Sequence, residues 1–238
     1  MRSFKNIQEV VRKGHPLIVD EQKREVGMNL CGENFADTRG FVVKFNLQGI
    51  STFLKHKHFS FLSPYFKSVR IPDCNAFVCN VLICNETKNP GSYAVGLHVD
   101  NTVGIQSSKF FMAHQVDVLY MNVPPDMQGG ELELFQYTHP EWGSGREPPT
   151  EGEWVRNPDD VVKPKQNTHV AFRGDAWHRV RGFTNSKAKE VPRISLVVEQ
   201  YKIDELYYPQ VWPQVECVLA SFLRQTISMT DITLCGVV

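Results

Sequence analysis

Residues 96–135 read GLHVDNTVGIQSSKFFMAHQVDVLYMNVPPDMQGGELELF. Near its start stands the triplet His98-Val99-Asp100. In an extended strand, residues i and i+2 point to the same face, so an imidazole and a carboxylate at this spacing can grip one ion together. A β-rich run, Val116 to Val123, follows, then Gly129-Gly130, read as a hairpin turn, and Glu131 to Phe135. Short motifs of the His-x-Asp kind are mostly ordinary surface or core pairs. The metal reading therefore depends on what the remaining strands bring to the same place.

Outward from this stretch the chain is punctuated by short apolar runs. Ala76 to Cys84 (AFVCNVLIC) is almost continuously apolar and β-branched, as for a strand in the body of a sheet. A polar turn through Asn89-Pro90-Gly91 leads into Tyr93 to His98. Phe110 to Ala113, Val116 to Val123, Leu132 to Phe135, His169 to Phe172 and Ile194 to Tyr201 read as further strands. Many short strands between Gly, Pro and Asn turns predict a mainly β domain with flanking helices: an antiparallel, cupin-like jelly roll, the double-stranded β-helix.

The chain reads as one domain with three parts. Residues 1–75 supply helices and strands that pack on the core. Within them Phe4, Ile7, Val10 and Val11 have helical spacing, and Leu17 to Val19 and Gly40 to Leu47 read as strands. Ser51 to Phe66 reads as a helix closed by Pro64, with His56 and His58 on a solvated basic face. Residues 76–203 form the double-stranded β-helix core, interrupted at 136–165 by a Pro-, Gly- and acid-rich insertion read as a folded lid anchored by Trp142 and Trp154. Residues 204–238 form a C-terminal helical segment, with the helix over Val215 to Ile227.

Composition narrows the function classes. Lys+Arg and Asp+Glu both total 26 among 238 residues, a net charge of zero, and a protein that neutralises phosphates normally carries a basic excess. No nucleic-acid partner is expected. The six cysteines form no Cys-x-x-Cys pair and sit among apolar neighbours, which reads as buried free thiols in a reducing compartment. No apolar run has signal-peptide or membrane-span length. A cytoplasmic protein with no membrane partner is expected; the oligomeric state is not legible.

A third ligand comes from far along the chain. In VAFRGDAWHRV (170–180), His178 follows a strand and a Gly-containing turn, and Arg193-Ile194-Ser195 opens the next strand with Arg193 and Ser195 on one face. Two histidines and one carboxylate suit ferrous iron, because they occupy one face of an octahedron and leave the opposite face open. A nearby arginine can bind a carboxylate through two parallel charge-assisted hydrogen bonds.

His98-x-Asp100, the Tyr120-Met121-Asn122 strand, Gly129-Gly130-Glu131-Leu132, His178 with Val180, and Arg193-x-Ser195 come in an order that resembles the iron(II)/2-oxoglutarate-dependent dioxygenases. The nearest likeness is to their prolyl-4-hydroxylase-like branch, over about residues 76–201. The resemblance implies Fe(II) on His98, Asp100 and His178. It implies 2-oxoglutarate held by Arg193, with help from the Tyr120 hydroxyl and Ser195. O2 is consumed, with ascorbate as a candidate reductant. The activity implied is hydroxylation of an unactivated C–H bond of a small molecule or protein side chain, coupled to decarboxylation of 2-oxoglutarate to succinate and CO2. Halogenating relatives have a small residue at the position of Asp100, so the carboxylate favours hydroxylation. Oxygen-sensing relatives carry a tyrosine near the position of Asn85 and a tryptophan at that of Glu199, and a shorter loop before the arginine strand. These departures touch the substrate side and point away from a prolyl peptide. Two other readings remain open at this stage: a cupin-type metal enzyme that does not use 2-oxoglutarate, for which Arg193 is dispensable, and a non-catalytic cupin-like binding domain.

Overall fold

In the computed structural model, residues 38–57, 59–87, 91–103, 105, 111–135, 157–185, 191–211 and 216–218 are described. Their backbone is organised by twelve strands. β1 (Thr38–Asn46), β2 (Ala76–Cys84), β4 (Gln115–Asn122), β8 (His169–Phe172), β11 (Arg193–Tyr201) and β12 (Glu216–Val218) form the large sheet, in the order β12-β1-β2-β11-β4-β8. β3 (Tyr93–His98), β6 (Leu132–Phe135), β7 (Asp160–Val162) and β9 (Trp177–Arg181) form the small one, in the order β3-β9-β6-β7. β5 (Met127–Gly129) and β10 (Phe183–Asn185) pair as a separate ribbon. All pairings are antiparallel.

Setting the ribbon aside, the chain from β2 to β11 alternates between sheets, with β6 and β7 together making one passage through the small sheet. β2, β4, β8 and β11 lie in the large sheet, and β3, β6, β7 and β9 in the small one. Two antiparallel stretches thus wind together, which is the double-stranded β-helix, or jelly roll.

Period-2 patterning gives the large sheet two different faces. On β2, Phe77, Cys79, Val81 and Ile83 join Leu119, Met121, Ile194, Leu196 and Val198 on the outer face. There they meet Phe53 of α1 (Ile50–Lys55) and Tyr65 and Phe66 of α2 (Ser63–Val69). The inner face carries Ala76, Val78, Val116, Val118, Tyr120, Val197 and Tyr201, looking into the roll. With helices on one side and the roll on the other, β2 has no wet face, which explains an apolar run broken only by Asn80, on the inner face.

Several details differ from the sequence reading. Ser51 to Phe66 is not one helix: α1 ends at Lys55, a 3-10 turn covers Ser60–Leu62, and α2 begins at Ser63. Pro64 opens α2 instead of closing a helix, as expected of a residue with no N–H to satisfy in the first turn. Phe111 to Ala113 is not a strand; Ala113 N–H donates to the Asp100 carbonyl and His114 N–H to that of Gln200, so this segment caps the roll. β5 pairs with β10, so Gly129-Gly130 is no hairpin between β5 and β6 but the bend from ribbon into β6. Both glycines have positive φ (88° and 75°), and a Cβ on Gly129 would sit 2.4 Å from the Gly182 carbonyl oxygen.

The insertion read at 136–165 ends in β7, paired with β6, which its polar sequence concealed. Residues 136–156 of the proposed lid, with Trp142 and Trp154, lie outside the described residues. Glu216–Val218 pairs with β1 as a strand, where a helix was expected; the rest of that stretch, and the helix and strand read before residue 20, are also outside them. Cys74, Cys79 and Cys84 are buried thiols. Among the described residues, no helix is long and apolar enough to cross a membrane.

The outer core centres on Phe45, which stacks on Phe53 at 4.3 Å between ring centroids and meets Phe66 edge-on at 5.3 Å. Phe45→Ala is expected to lower the free energy of unfolding by about 3–5 kcal/mol in urea titrations. Leu206→Ala, at an exposed position, is expected to change it by less than about 0.5 kcal/mol.

Candidate metal centre and its cavity

β3 and β9 are neighbours in the small sheet, and their register sets His98 directly opposite His178. The rings lie 4.2 Å apart between centroids, and the Phe172 ring meets His178 edge-on at 4.9 Å. Asp100 follows two residues after His98, where the chain has left the ladder. Its backbone is tied down on both sides, N–H to the Gly174 carbonyl and carbonyl to Ala113 N–H. Gly174 admits this close approach of Ala113, because a Cβ there would stand 2.3 Å from the Ala113 carbonyl oxygen.

Backbone carbonyls fix both imidazoles. Nδ1 of His98 lies 2.8 Å from the Gly96 carbonyl oxygen, and Nδ1 of His178 lies 3.0 Å from that of Ala176. A carbonyl only accepts, so Nδ1 carries the proton in each neutral ring and Nε2 presents a lone pair. Those two Nε2 atoms lie 3.6 Å and 3.4 Å from the two Asp100 carboxylate oxygens, too long for good hydrogen bonds. Neighbouring ligands of an octahedral ion with bonds of about 2.1 Å stand about 3 Å apart, so the gap is that of groups facing one ion. Asp100 Oδ2 is buried with no hydrogen-bond partner, and the three ligand atoms all lie within 4.8 Å of one another. Two imidazoles and one carboxylate on one side of a shared point are a donor set that ferrous iron fits.

The electrostatics differ between the two rings. Burial, with the charge of His98, pushes His178 down to about 4, so its ring is neutral at physiological pH. Burial also opposes charge on His98, but the adjoining Asp100 outweighs it and holds that ring above its ordinary value. Burial alone would raise Asp100; His178 and His98 lower it, so the carboxylate stays ionised.

The same cavity, about 370 Å³, reaches from this triad across the inner face of the large sheet. At one end stand Arg193, Ser195 and Tyr120. The pairing of β11 with β4 sets Ser195 against Tyr120, and the Arg193 guanidinium lies 5.1 Å over the Tyr120 ring. All three are buried, and Arg193 Nε, the Tyr120 hydroxyl and Ser195 Oγ have no hydrogen-bond partner. Burial raises the Tyr120 phenol, against the lowering effect of the Arg193 charge, so the hydroxyl keeps its proton and can donate. The structure thus gathers all six sequence-selected residues, His98, Asp100, His178, Arg193, Tyr120 and Ser195, around one space.

The sequence reading gave no role to a second polar group there. Glu199 is fully buried and accepts hydrogen bonds from Asn80 Nδ2 at 2.7 Å, Thr102 Oγ1 at 3.1 Å and the Tyr201 hydroxyl. It lies in phase with Arg193 and Ser195 on β11, so period-2 counting from Arg193 would have placed it on the cavity wall. Asn85, set beside the pocket by resemblance, is not among the cavity-lining residues.

Burial first, and then the nearby Asp100 charge, push the Glu199 carboxyl up to about 7 from an ordinary 4.5. Between these values the folded protein holds a proton that the unfolded chain has lost. Stability from this group is therefore complete below about pH 4.5 and is lost as pH rises through about 7. The metal-free protein should lose about 2–3 kcal/mol of unfolding free energy from Glu199 between pH 5 and pH 8. Urea titrations at the two pH values should show a smaller decline for Glu199→Gln than for the wild type by that amount.

No family model matches the chain, and no curated protein matches it. Its similarities are to solved structures. IDO from Bacillus thuringiensis is 13% identical, with a TM-score of 0.43 over 84% of this chain and 100% of that one. A Pseudomonas putida prolyl-4-hydroxylase is 14% identical, with a TM-score of 0.43 over 84% and 88%. An oxidoreductase of the 2OG-Fe(II) oxygenase family from Burkholderia pseudomallei is 14% identical, with a TM-score of 0.38 over 85% and 92%. At these identities and scores the likeness lends no weight to a function, and the reading of the site rests on its own geometry.

Proposed function

We propose that the protein is an Fe(II)- and 2-oxoglutarate-dependent oxygenase that hydroxylates a C–H bond of a small molecule or protein side chain. The observation that carries this is the pairing, in one buried cavity, of a His-Asp-His triad with three unsatisfied donors on Arg193, Tyr120 and Ser195. A buried guanidinium without a carboxylate is expensive, so this end of the cavity calls for an anionic ligand. A ligand with a carboxylate for Arg193 and a chelating 2-oxo acid for the metal satisfies both ends at once.

Each residue then has a defined task. His98, Asp100 and His178 would hold the ion on one side and leave its other positions open. Arg193 would receive the distal carboxylate, with Tyr120 and Ser195 donating to its remaining lone pairs. Leu132, Val180, Phe172 and Val118 line the space between and exclude water. When bound, ferrous iron and 2-oxoglutarate supply the oxidation of C–H by O2: one oxygen atom enters the product hydroxyl and the other enters succinate as CO2 leaves. Ascorbate would serve to return adventitiously oxidised iron to the ferrous state.

Anaerobic addition of Fe(II) and then 2-oxoglutarate is expected to give a visible metal-to-ligand charge-transfer band. His178→Ala should abolish it. Arg193→Ala should need about 30–150-fold more 2-oxoglutarate, the loss of one charge-assisted carboxylate contact worth about 2–3 kcal/mol, and Tyr120→Phe about 5-fold more. Bound iron without a band would favour a cupin-type enzyme of another reaction class. No bound iron would favour a binding domain, and either result would overturn the proposal.

A further inference from the structure

The end of the cavity opposite Arg193 has its own chemistry. Along β11 the inner face reads Arg193, Ser195, Val197, Glu199, so the arginine and the glutamate stand about 20 Å apart at the usual rise of a strand. Both line the cavity, as do the three metal-ligand candidates. The Arg193 end is occupied in the oxygenase reading; the Glu199 end is not.

A buried carboxylate with three hydrogen bonds can be a satisfied structural group, but two observations separate Glu199 from that case. First, its donors leave acceptor capacity in the cavity wall. Oε1 takes both Asn80 Nδ2 and Thr102 Oγ1, whereas Oε2 takes only the Tyr201 hydroxyl and retains a lone pair. Second, Asn80 is turned with its amide nitrogen on Glu199, and its Oδ1 is buried with no hydrogen-bond partner. The three donors to the carboxylate are all neutral groups. They orient it without cancelling its charge, and the cost of burying that charge is what a bound cation would relieve.

We propose that Glu199 and Asn80 form the substrate-recognition subsite of this cavity and that they take a cationic nitrogen with at least two N–H donors, an ammonium or guanidinium group of the substrate. The subsite rests on the oxygenase reading for its purpose, since its occupant is the molecule to be oxidised. One N–H donates to Glu199 Oε2 and another to Asn80 Oδ1, while Thr102 and Tyr201 hold the carboxylate in place. The carbon chain carrying this nitrogen then crosses the apolar wall of Val197 and Val118 toward the metal centre.

The subsite is tested with n-butylammonium and guanidinium against n-butyramide and butyrate as probes. Binding is read by ligand-observed NMR on the full chain, with and without Mn(II) and 2-oxoglutarate. The cationic probes are expected to bind at least about 10-fold tighter than butyramide, and Mn(II) should enhance the relaxation of their protons. Glu199→Gln should erase the preference, and a retained charge-transfer band with Fe(II) and 2-oxoglutarate would report that its fold survives. Asn80→Leu keeps the carboxylate and should weaken guanidinium about 3–10-fold, which keeps the test decisive if Glu199→Gln does not fold. Equal binding of cationic and neutral probes, or a preference that survives Glu199→Gln, would overturn the subsite. Failure of the oxygenase reading is distinguishable, because it removes the charge-transfer band while the cation preference is still measured on the metal-free protein.

Discussion

The antiparallel register of β3 with β9 is the constraint on which the site depends. It sets His98 opposite His178, and because side chains alternate across a strand, a slip of one residue would turn one imidazole out of the roll. The remaining parts hold that register in place. Leu132 and Leu134 of β6 pair with Val180 and His178 on the far side of β9. The Gly174 turn lets Ala113 and Asp100 lie close enough to bring the carboxylate in. The carbonyls of Gly96 and Ala176 then select one tautomer for each ring. Ligand geometry is therefore a property of backbone pairing more than of the three side chains.

The large sheet contributes through the difference between its faces. Its outer face is mainly apolar and covered by two short helices, with Gln200 donating to the buried carboxylate of Asp117 there, and its inner face carries Arg193, Ser195, Tyr120 and Glu199 among valines. Polar groups buried without partners lower stability. Several of them stand on the inner wall, while the opposite face supplies the aromatic core around Phe45. The two ends of the inner wall have opposite sign. An anion suits the Arg193 end and a cation the Glu199 end, with the triad lying along the same cavity.

The strand pattern was legible because each strand shows its environment in its own sequence. AFVCNVLIC is apolar but for Asn80 because both its faces are covered, and in RISLVVEQY the polar residues Arg193, Ser195 and Glu199 recur at a period of two where one face lines the cavity. The His-x-Asp spacing was legible for the same reason: a period of two is a local property. The misreadings also have physical causes. Asp160–Val162 is only three residues long and sits in an otherwise polar stretch, so its two valines do not stand out as a strand until they pair with β6. Glu216–Val218 is likewise fixed by β1, across more than 160 residues of chain. Pro64 was taken as a stop, although proline serves equally well in a first helical turn.

By itself, the sequence determined which residues alternate, which segments can be strands, and that two histidines, a carboxylate and an arginine lie at strand ends. These follow from rules that operate within a few residues. Only the tertiary structure decided that Asn80, Thr102 and Tyr201 converge on Glu199 and that Asn80 Oδ1 and Arg193 Nε are left without partners. Hydrogen-bond satisfaction depends on neighbours from three or four strands at once. Residues far apart in the chain become neighbours through sheet pairing, and no local pattern records which of their polar atoms remain free.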